Sequence, residues 1–287
     1  MIPSAFEYHR ATTVDEAINL LKMHGAEAKL LAGGHSLLPA MKLRLSAPGN
    51  LIDIGHISEL KYIRDDGGLI AIGATATHDM IASSTEVQAK APALAKTAGL
   101  IGDLQVRNKG TIGGSLAHAD PAADYPAYLL AADAEMVVKG PNGQRTIAAA
   151  DFFQDVYVTN LQDDEILTEV RVPALSTKTG SSYQKFEQPA SRFAIVGCAA
   201  IVTKDNGACS RVRVAFTGVS NSVFRDSGVE DALTGQAPSE AHIAAAAEKA
   251  AAGVVVLSDH FASEDYRRHL AGVYAKRALT EAAGLAG

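Results

Sequence analysis

Ala17, Ile18, Leu20 and Leu21 recur at helical spacing behind Thr13, Asp15 and Glu16, which predicts a capped amphipathic helix ending near Gly25. Lys29-Leu30-Leu31 then reads as a short buried strand that stops at Gly33-Gly34. The segment Leu37 to Lys42 starts a helix with Pro39 in its first turn, where the missing N–H costs nothing. Leu51 to Ile54 adds another strand, so the opening stretch has the size of a βαβ unit.

From Tyr62 the pattern turns antiparallel. Asp65-Asp66-Gly67-Gly68 separates two apolar runs, and Gly140-Pro141-Asn142-Gly143 separates Met136–Lys139 from Arg145–Ala148; both predict hairpins. One or two helices are expected between them, including Val87 to Gly99. Ile166 to Val172 alternates as a strand and ends at Pro173. The stretch Ala174 to Gly180 is rich in Ser, Thr and Gly with no apolar pattern, which places a domain boundary there. Beyond it, strands are predicted at Ser182–Glu187, Ile195–Thr203 and Ser210–Val219, with Asn206-Gly207 as a two-residue hairpin turn between the last two. Ser239 is expected to cap an alanine-rich helix to Ala252. Ser263 is expected to cap another, whose apolar face holds Tyr266, Leu270, Val273 and Tyr274.

A length of 287 residues suits about two domains, and 47% hydrophobic with 20% charged residues suits an ordinary globular core. The net charge is −6 with no basic run, so nucleic acid is not an expected partner. Residues 1–10 hold Glu7, His9 and Arg10 and no long apolar run, and stretches such as Ala194–Val202 are too short to span a bilayer. A cytoplasmic protein, with membrane association at most peripheral, is expected. The two cysteines, Cys198 and Cys209, form no CxxC pair and read as small buried strand residues, so any iron–sulfur cluster belongs to another chain.

The candidate chemistry lies in two glycine turns about seventy-five residues apart. They are Ala32-Gly33-Gly34-His35-Ser36 and Gly110-Thr111-Ile112-Gly113-Gly114-Ser115. Glycines let successive N–H groups approach an anion, and Ser36, Thr111 and Ser115 can donate to phosphate oxygens, so the pair together could hold a pyrophosphate. Neither turn matches the Rossmann fingerprint or a P-loop.

These turns, the opening Met1-Ile2-Pro3 and Phe6-Glu7-Tyr8-His9, and the Arg107 that precedes the second turn resemble the flavoprotein subunit of carbon monoxide dehydrogenase and its molybdenum hydroxylase relatives, including xanthine dehydrogenase. The likeness runs on through Asp120-Pro121, Asp124-Tyr125-Pro126, Glu165-Ile166-Leu167, Arg171-Val172-Pro173 and Tyr183-Gln184-Lys185-Phe186, and covers essentially the whole chain. Ser115 stands where the family commonly has asparagine.

The resemblance implies an α+β fold: a two-subdomain FAD-binding domain of the vanillyl-alcohol-oxidase type over residues 1–175, divided near 56, then a C-terminal domain over 176–287 with a three-stranded antiparallel sheet and helices. It implies noncovalent FAD enclosed by the two turns. Leu31, Ala32, Gly33, Gly34, His35, Ser36 and Leu37, with Gly110, Thr111, Gly113, Gly114 and Ser115, would cradle phosphate and ribitol. Ala117, Asp124 and, more weakly, Asp120 would lie along the nucleotide. Ile101, Ile166 and Leu167 would pack against FAD rings, Lys185 would reach the flavin end, and Phe193 would stand near the isoalloxazine.

The role the resemblance implies is an electron relay in a heterotrimer, assembled as a dimer of heterotrimers. A large subunit would carry the molybdenum cofactor, a small one [2Fe-2S] clusters, and an external acceptor would take the electrons. The alternatives are a stand-alone FAD-dependent oxidoreductase and a flavin-free assembly subunit. No catalytic residue is assigned. His35 reads as packing at its turn or touching phosphate, His118, Asp120 and Asp124 match no zinc spacing, and Asp124 with Lys185 could be a surface charge pair.

Overall fold

Three parallel strands open the chain: β1 (Glu7–Arg10), β2 (Ala28–Leu31) and β3 (Asn50–Asp53), in the order β1-β3-β2. The computed structural model describes residues 2–287; Met1, the first residue of the opening motif, lies outside them. Between β1 and β2 runs α1 (Val14–His24), started by the Thr13 side chain, which accepts from the Glu16 N–H, and ended at Gly25. The short α2 (Leu37–Lys42) joins β2 to β3, so the expected βαβ unit is present. Its apolar residues Val14, Ala17, Ile18, Leu21, Ile52 and Ile54 make a small core, which Leu60 and Ile166 from later in the chain join. β1 was not anticipated: Glu-Tyr-His-Arg carries no apolar alternation, and the segment is a strand because its backbone pairs with β3 from Glu7↔Asn50 to Arg10↔Asp53.

The second unit is built on a five-stranded antiparallel sheet. β4 (Ile63–Asp66) and β5 (Leu69–Gly73) form the first predicted hairpin, with Gly67 and Gly68 at positive φ. Six helices follow: α3 (His78–Ser83), α4 (Thr85–Lys90), α5 (Pro92–Gly99), α6 (Leu104–Arg107), α7 (Ile112–His118) and α8 (Asp124–Ala131). This corrects the expectation of one or two. The continuous helix expected over 87–99 is broken at Ala91, because Pro92 disfavours helical geometry in the residue before it and suits the first turn of α5 instead. The others are short and individually capped, so no long periodic run announces them; Thr77, Ser84, Asp103 and Thr111 each accept from an N–H of the first turn that they precede.

The second predicted hairpin, β6 (Glu135–Gly140) with β7 (Gly143–Ala148), is present. After α9 (Ala149–Phe152) and the small pair β8 (Phe153–Asp155) and β9 (Val158–Thr159) comes β10 (Ile166–Pro173). It enters the middle of the sheet, whose order is β4-β5-β10-β6-β7.

The last unit has three long strands, β11 (Thr179–Glu187), β12 (Ala194–Asp205) and β13 (Ala208–Thr217), joined to a two-residue edge strand, β14 (Phe224–Arg225). Asn206 and Gly207 both take positive φ, as their turn requires. Helices α10 (Ser227–Leu233), α11 (Glu240–Ala247) and α12 (Glu264–Leu285) follow. Ser239 and Ser263 cap α11 and α12 as expected, but α11 stops five residues before Ala252. Tyr266 is exposed rather than on the buried face of α12, and Arg267 is buried in its place. The guanidinium holds the carbonyls of Ile195 and Gly218, each at 2.6 Å, and Asp259 at 2.7 Å. Both cysteines are buried free thiols. No helix among the described residues is long and apolar enough to cross a membrane.

Tyr183, Ala199, Ile201 and Ala215 of the last unit belong to the same buried cluster as Ile70, Leu94, Tyr125 and Val170 of the second. The large central core is therefore filled from both sides of residue 175.

Candidate functional site

The two glycine turns, far apart in sequence, are in backbone contact. A Cβ placed on Gly33 would lie 2.2 Å from the Lys109 carbonyl oxygen and 2.8 Å from Gly110 Cα, so only glycine permits this approach. Gly34 beside it has φ +73°, a conformation that suits glycine. Each turn leads from an extended segment into a short helix, β2 into α2 and the Thr77–Thr111 bridge into α7.

Their backbones are used differently. Among the described residues, the N–H groups of Gly33, Gly34, His35 and Ser36 donate to no acceptor in the chain, whereas the His35 ring lies 2.9 Å from its neighbour's Gly33 carbonyl. In the second turn the N–H groups are mostly committed: Gly110 to Val106 O, Ile112 to Ala76 O, Gly113 to Ala74 O, Gly114 to the Thr111 hydroxyl and Ser115 to Thr111 O. Thr111 is buried, and its hydroxyl oxygen is occupied as the cap of α7. Gly110 and Gly113 are packing glycines, since a Cβ on Gly113 would meet Ala74 at 2.6 Å. Gly114 and Ala117 are exposed and Ser115 is half-buried, so α7 presents a strip of small residues to the surface. The first turn thus offers free donors and the second offers shape and the Ser115 hydroxyl.

That combination fits a pyrophosphate. A doubly charged group needs several donors and close approach, and consecutive amides in a glycine turn supply both without a lysine. Leu31 and Ala32 lie half-buried at the end of β2, and Leu37 is half-buried at the start of α2.

Asp124 and Lys185 form a buried pair, which corrects the reading of a surface charge pair: their side chains are only 4% and 2% exposed and meet at 2.9 Å. The Tyr183 hydroxyl donates to the other Asp124 oxygen at 2.5 Å, and Lys185 also donates to the Leu100 carbonyl at 3.1 Å. Burial pushes the Asp124 carboxyl above its ordinary range, opposed by the Lys185 ammonium and the Tyr183 hydrogen bond. Both side chains are directed at each other rather than at open surface. They act on the Leu100–Gly102 segment, which Arg107 also grips through the carbonyls of Ile101 (3.2 Å) and Gly102 (2.9 Å), with Arg192 reaching Gly102 at 3.3 Å. Ile101, half-buried, is held in place by these donors.

Ile166 and Leu167 are buried, Ile166 in the N-terminal core and Leu167 in the central one, so neither offers an open face for a ring to pack on. Asp120 is half-buried and caps its own turn, accepting from Ala122 N–H at 2.8 Å. Phe193 is 44% exposed in the β11–β12 connection, next to Arg192, which has a positive φ.

Sequence reasoning passed over His78 and Arg192. His78 is buried beneath the second turn, and burial, aided by the nearby Arg107 guanidinium, pushes its imidazole down to about 4. Nothing in Ala-Thr-Ala-Thr-His marks it except Thr77 as a helix cap.

Residues 4–175 match the family described as FAD binding domain in molybdopterin dehydrogenase, and residues 181–282 match the CO dehydrogenase flavoprotein C-terminal domain. The chain is 44% identical to the carbon monoxide dehydrogenase medium chain of Hydrogenophaga pseudoflava over 98% of both chains. It is 36% identical to the 6-hydroxypseudooxynicotine dehydrogenase complex subunit alpha of Paenarthrobacter nicotinovorans, over 98% of this chain and 96% of that one. A solved structure of the Hydrogenophaga pseudoflava carbon monoxide dehydrogenase, in a form lacking the Mo-pyranopterin moiety, superposes with a TM-score of 0.97 over 100% of both chains.

Proposed function

This chain belongs to the FAD-binding subunits of the molybdopterin dehydrogenases, and from that premise we infer how its own residues serve an electron-transfer role. It is an oxidoreductase subunit of the carbon monoxide and xanthine dehydrogenase type. The observation that carries the site assignment is the backbone contact between the two glycine turns, with the first turn's N–H groups free to donate. Gly33, Gly34, His35 and Ser36 would hold the FAD pyrophosphate by backbone N–H donation, and Gly114, Ser115 and Ala117 would line its other side. Bound FAD supplies a carrier that takes up electrons one at a time and stores two. The Asp124–Lys185 pair, with Arg107 and Arg192, would keep Ile101 and Gly102 fixed beside the ring system, so the chain's contribution is position rather than proton transfer.

The unit of function is a complex with a large molybdenum subunit and a small iron–sulfur subunit, arranged as a dimer of heterotrimers in the cytoplasm and delivering electrons to an external acceptor. Support comes from the relatives, two of which are named as chains or subunits of larger dehydrogenases, and from the lack of any cysteine pair able to ligate a cluster here. Domains over 1–175 and 176–287 fit this reading, the first carrying both turns. Titration of the purified chain with FAD, followed at the flavin band near 450 nm, tests the assignment. One FAD per chain is expected, and no binding would overturn it. Native mass spectrometry of the complex, counting subunits and metals, tests the assembly.

A further inference from the structure

His78 opens α3 directly under the second glycine turn. Its N–H donates to the Gly110 carbonyl at 3.0 Å, Thr77 pairs with Thr111, and the Ile112 N–H returns to Ala76 O at 3.1 Å. The ring fills the space below the turn, for a Cβ on Gly110 would come within 2.5 Å of His78 Nε2. On the other side, Nδ1 lies 3.1 Å from the Tyr125 hydroxyl of α8, one residue from Asp124. The imidazole is therefore a spacer between the second turn and the helix that carries the Asp124–Lys185 pair. Since Gly33 rests on Lys109 and Gly110, a displacement of this ring reaches the first turn as well.

The charged and titratable groups facing it come from three elements: His35 in the first turn, Arg107 on α6 and Tyr125 on α8. Of these, the Arg107 guanidinium disfavours a second positive charge. The ring's one side-chain hydrogen bond is the one Nδ1 shares with the Tyr125 hydroxyl, while Nε2 faces Gly110.

We propose that His78 is a positioning residue that holds the second glycine turn against the first and so sets how tightly the chain retains FAD. This rests on the FAD assignment above. It adds a residue that touches neither phosphate nor ring.

The test uses the full chain and its His78→Ala, His78→Gln and Tyr125→Phe variants, with FAD affinity read from flavin fluorescence and folding from circular dichroism. His78→Ala is expected to weaken FAD binding by about tenfold or more, and His78→Gln to recover most of the loss because its amide fills the space and can meet the Tyr125 hydroxyl. On acidification the parent's affinity falls more steeply than that of His78→Gln as the imidazole gains its proton around its value of about 4, the loss common to both coming from protonation of the Asp124 carboxyl. A folded His78→Ala chain with the parent's affinity, a glutamine variant no better than alanine, or parallel acid profiles would each overturn the proposal. If His78→Ala does not fold, Tyr125→Phe decides: about threefold weaker binding supports the role, and unchanged binding removes it. Failure of the parent chain to bind FAD would strike the underlying assignment instead.

Discussion

Replacing Gly33 by alanine tests whether contact between the turns matters to the site. Gly33 does not occupy the positive-φ region, so the alanine backbone is allowed and the perturbation is steric. The new methyl would stand 2.2 Å from the Lys109 oxygen, against the 3.4 Å at which ordinary contact begins, so the turns must part by more than an ångström. Both obstructing groups are backbone and cannot swing aside. Overpacking of this kind costs about 1–3 kcal/mol of stability. A shift of that size also misaligns amides that would donate to a charged phosphate, each such hydrogen bond being worth about 1.5–3 kcal/mol. Loss of one or two predicts FAD binding weaker by about 3 kcal/mol, or roughly a hundredfold. The assay is fluorescence titration with FAD, paired with thermal unfolding of the same preparation. Gly67→Ala is the control: it imposes strain at φ +61° with nothing within 4 Å, so it should cost about 1 kcal/mol of stability and leave FAD affinity alone. The reasoning is refuted if Gly33→Ala binds FAD within about threefold of the parent and melts at the parent's temperature.

Lys185→Met leaves the Asp124 carboxyl buried with only Tyr183 and should cost about 3–5 kcal/mol in urea unfolding. Because burial already raises the folded Asp124 value above its unfolded one, the variant should be most stable in acid and lose stability as pH rises through that value; a deficit that shrinks toward alkaline pH would contradict this. Adding Asp124→Asn should recover part of the loss. Arg267→Met strips donors from the Ile195 and Gly218 carbonyls and from Asp259, and a fall of about 2–4 kcal/mol in chemical denaturation is expected. Cys198 and Cys209 are fully buried, and burial raises both thiols, so alkylation mapped by mass spectrometry should mark neither in the folded chain and both in denaturant.

Local chemistry made much of the architecture legible. Gly67-Gly68, Gly143 and Asn206-Gly207 write their hairpins because few other residues accept those backbone angles, and Thr13, Ser239 and Ser263 write helix starts because their side chains satisfy free N–H groups. β1 escaped because its stabilisation is backbone pairing with β3, which leaves no apolar signature in Glu-Tyr-His-Arg. The glycine turns could be picked out individually, but their meeting is a property of the whole fold. The sequence likewise named Asp124 and Lys185 without showing that they face each other in a dry interior, which depends on where β11 lies against α8. His78 stayed hidden for the same reason: only the packed structure reveals that a single imidazole fills the space under Gly110.

The central core shared across residue 175 also bears on how the chain is made. Synthesis delivers Ile70, Leu94, Tyr125 and Val170 well before Tyr183, Ala199, Ile201 and Ala215, which complete the same buried cluster. Until the last hairpin emerges from the ribosome, the nascent chain carries an uncovered apolar surface in its FAD-binding half, and the Leu100 carbonyl still lacks its lysine. The core beneath the FAD-binding half is thereby closed only after the strands of the following unit have been made.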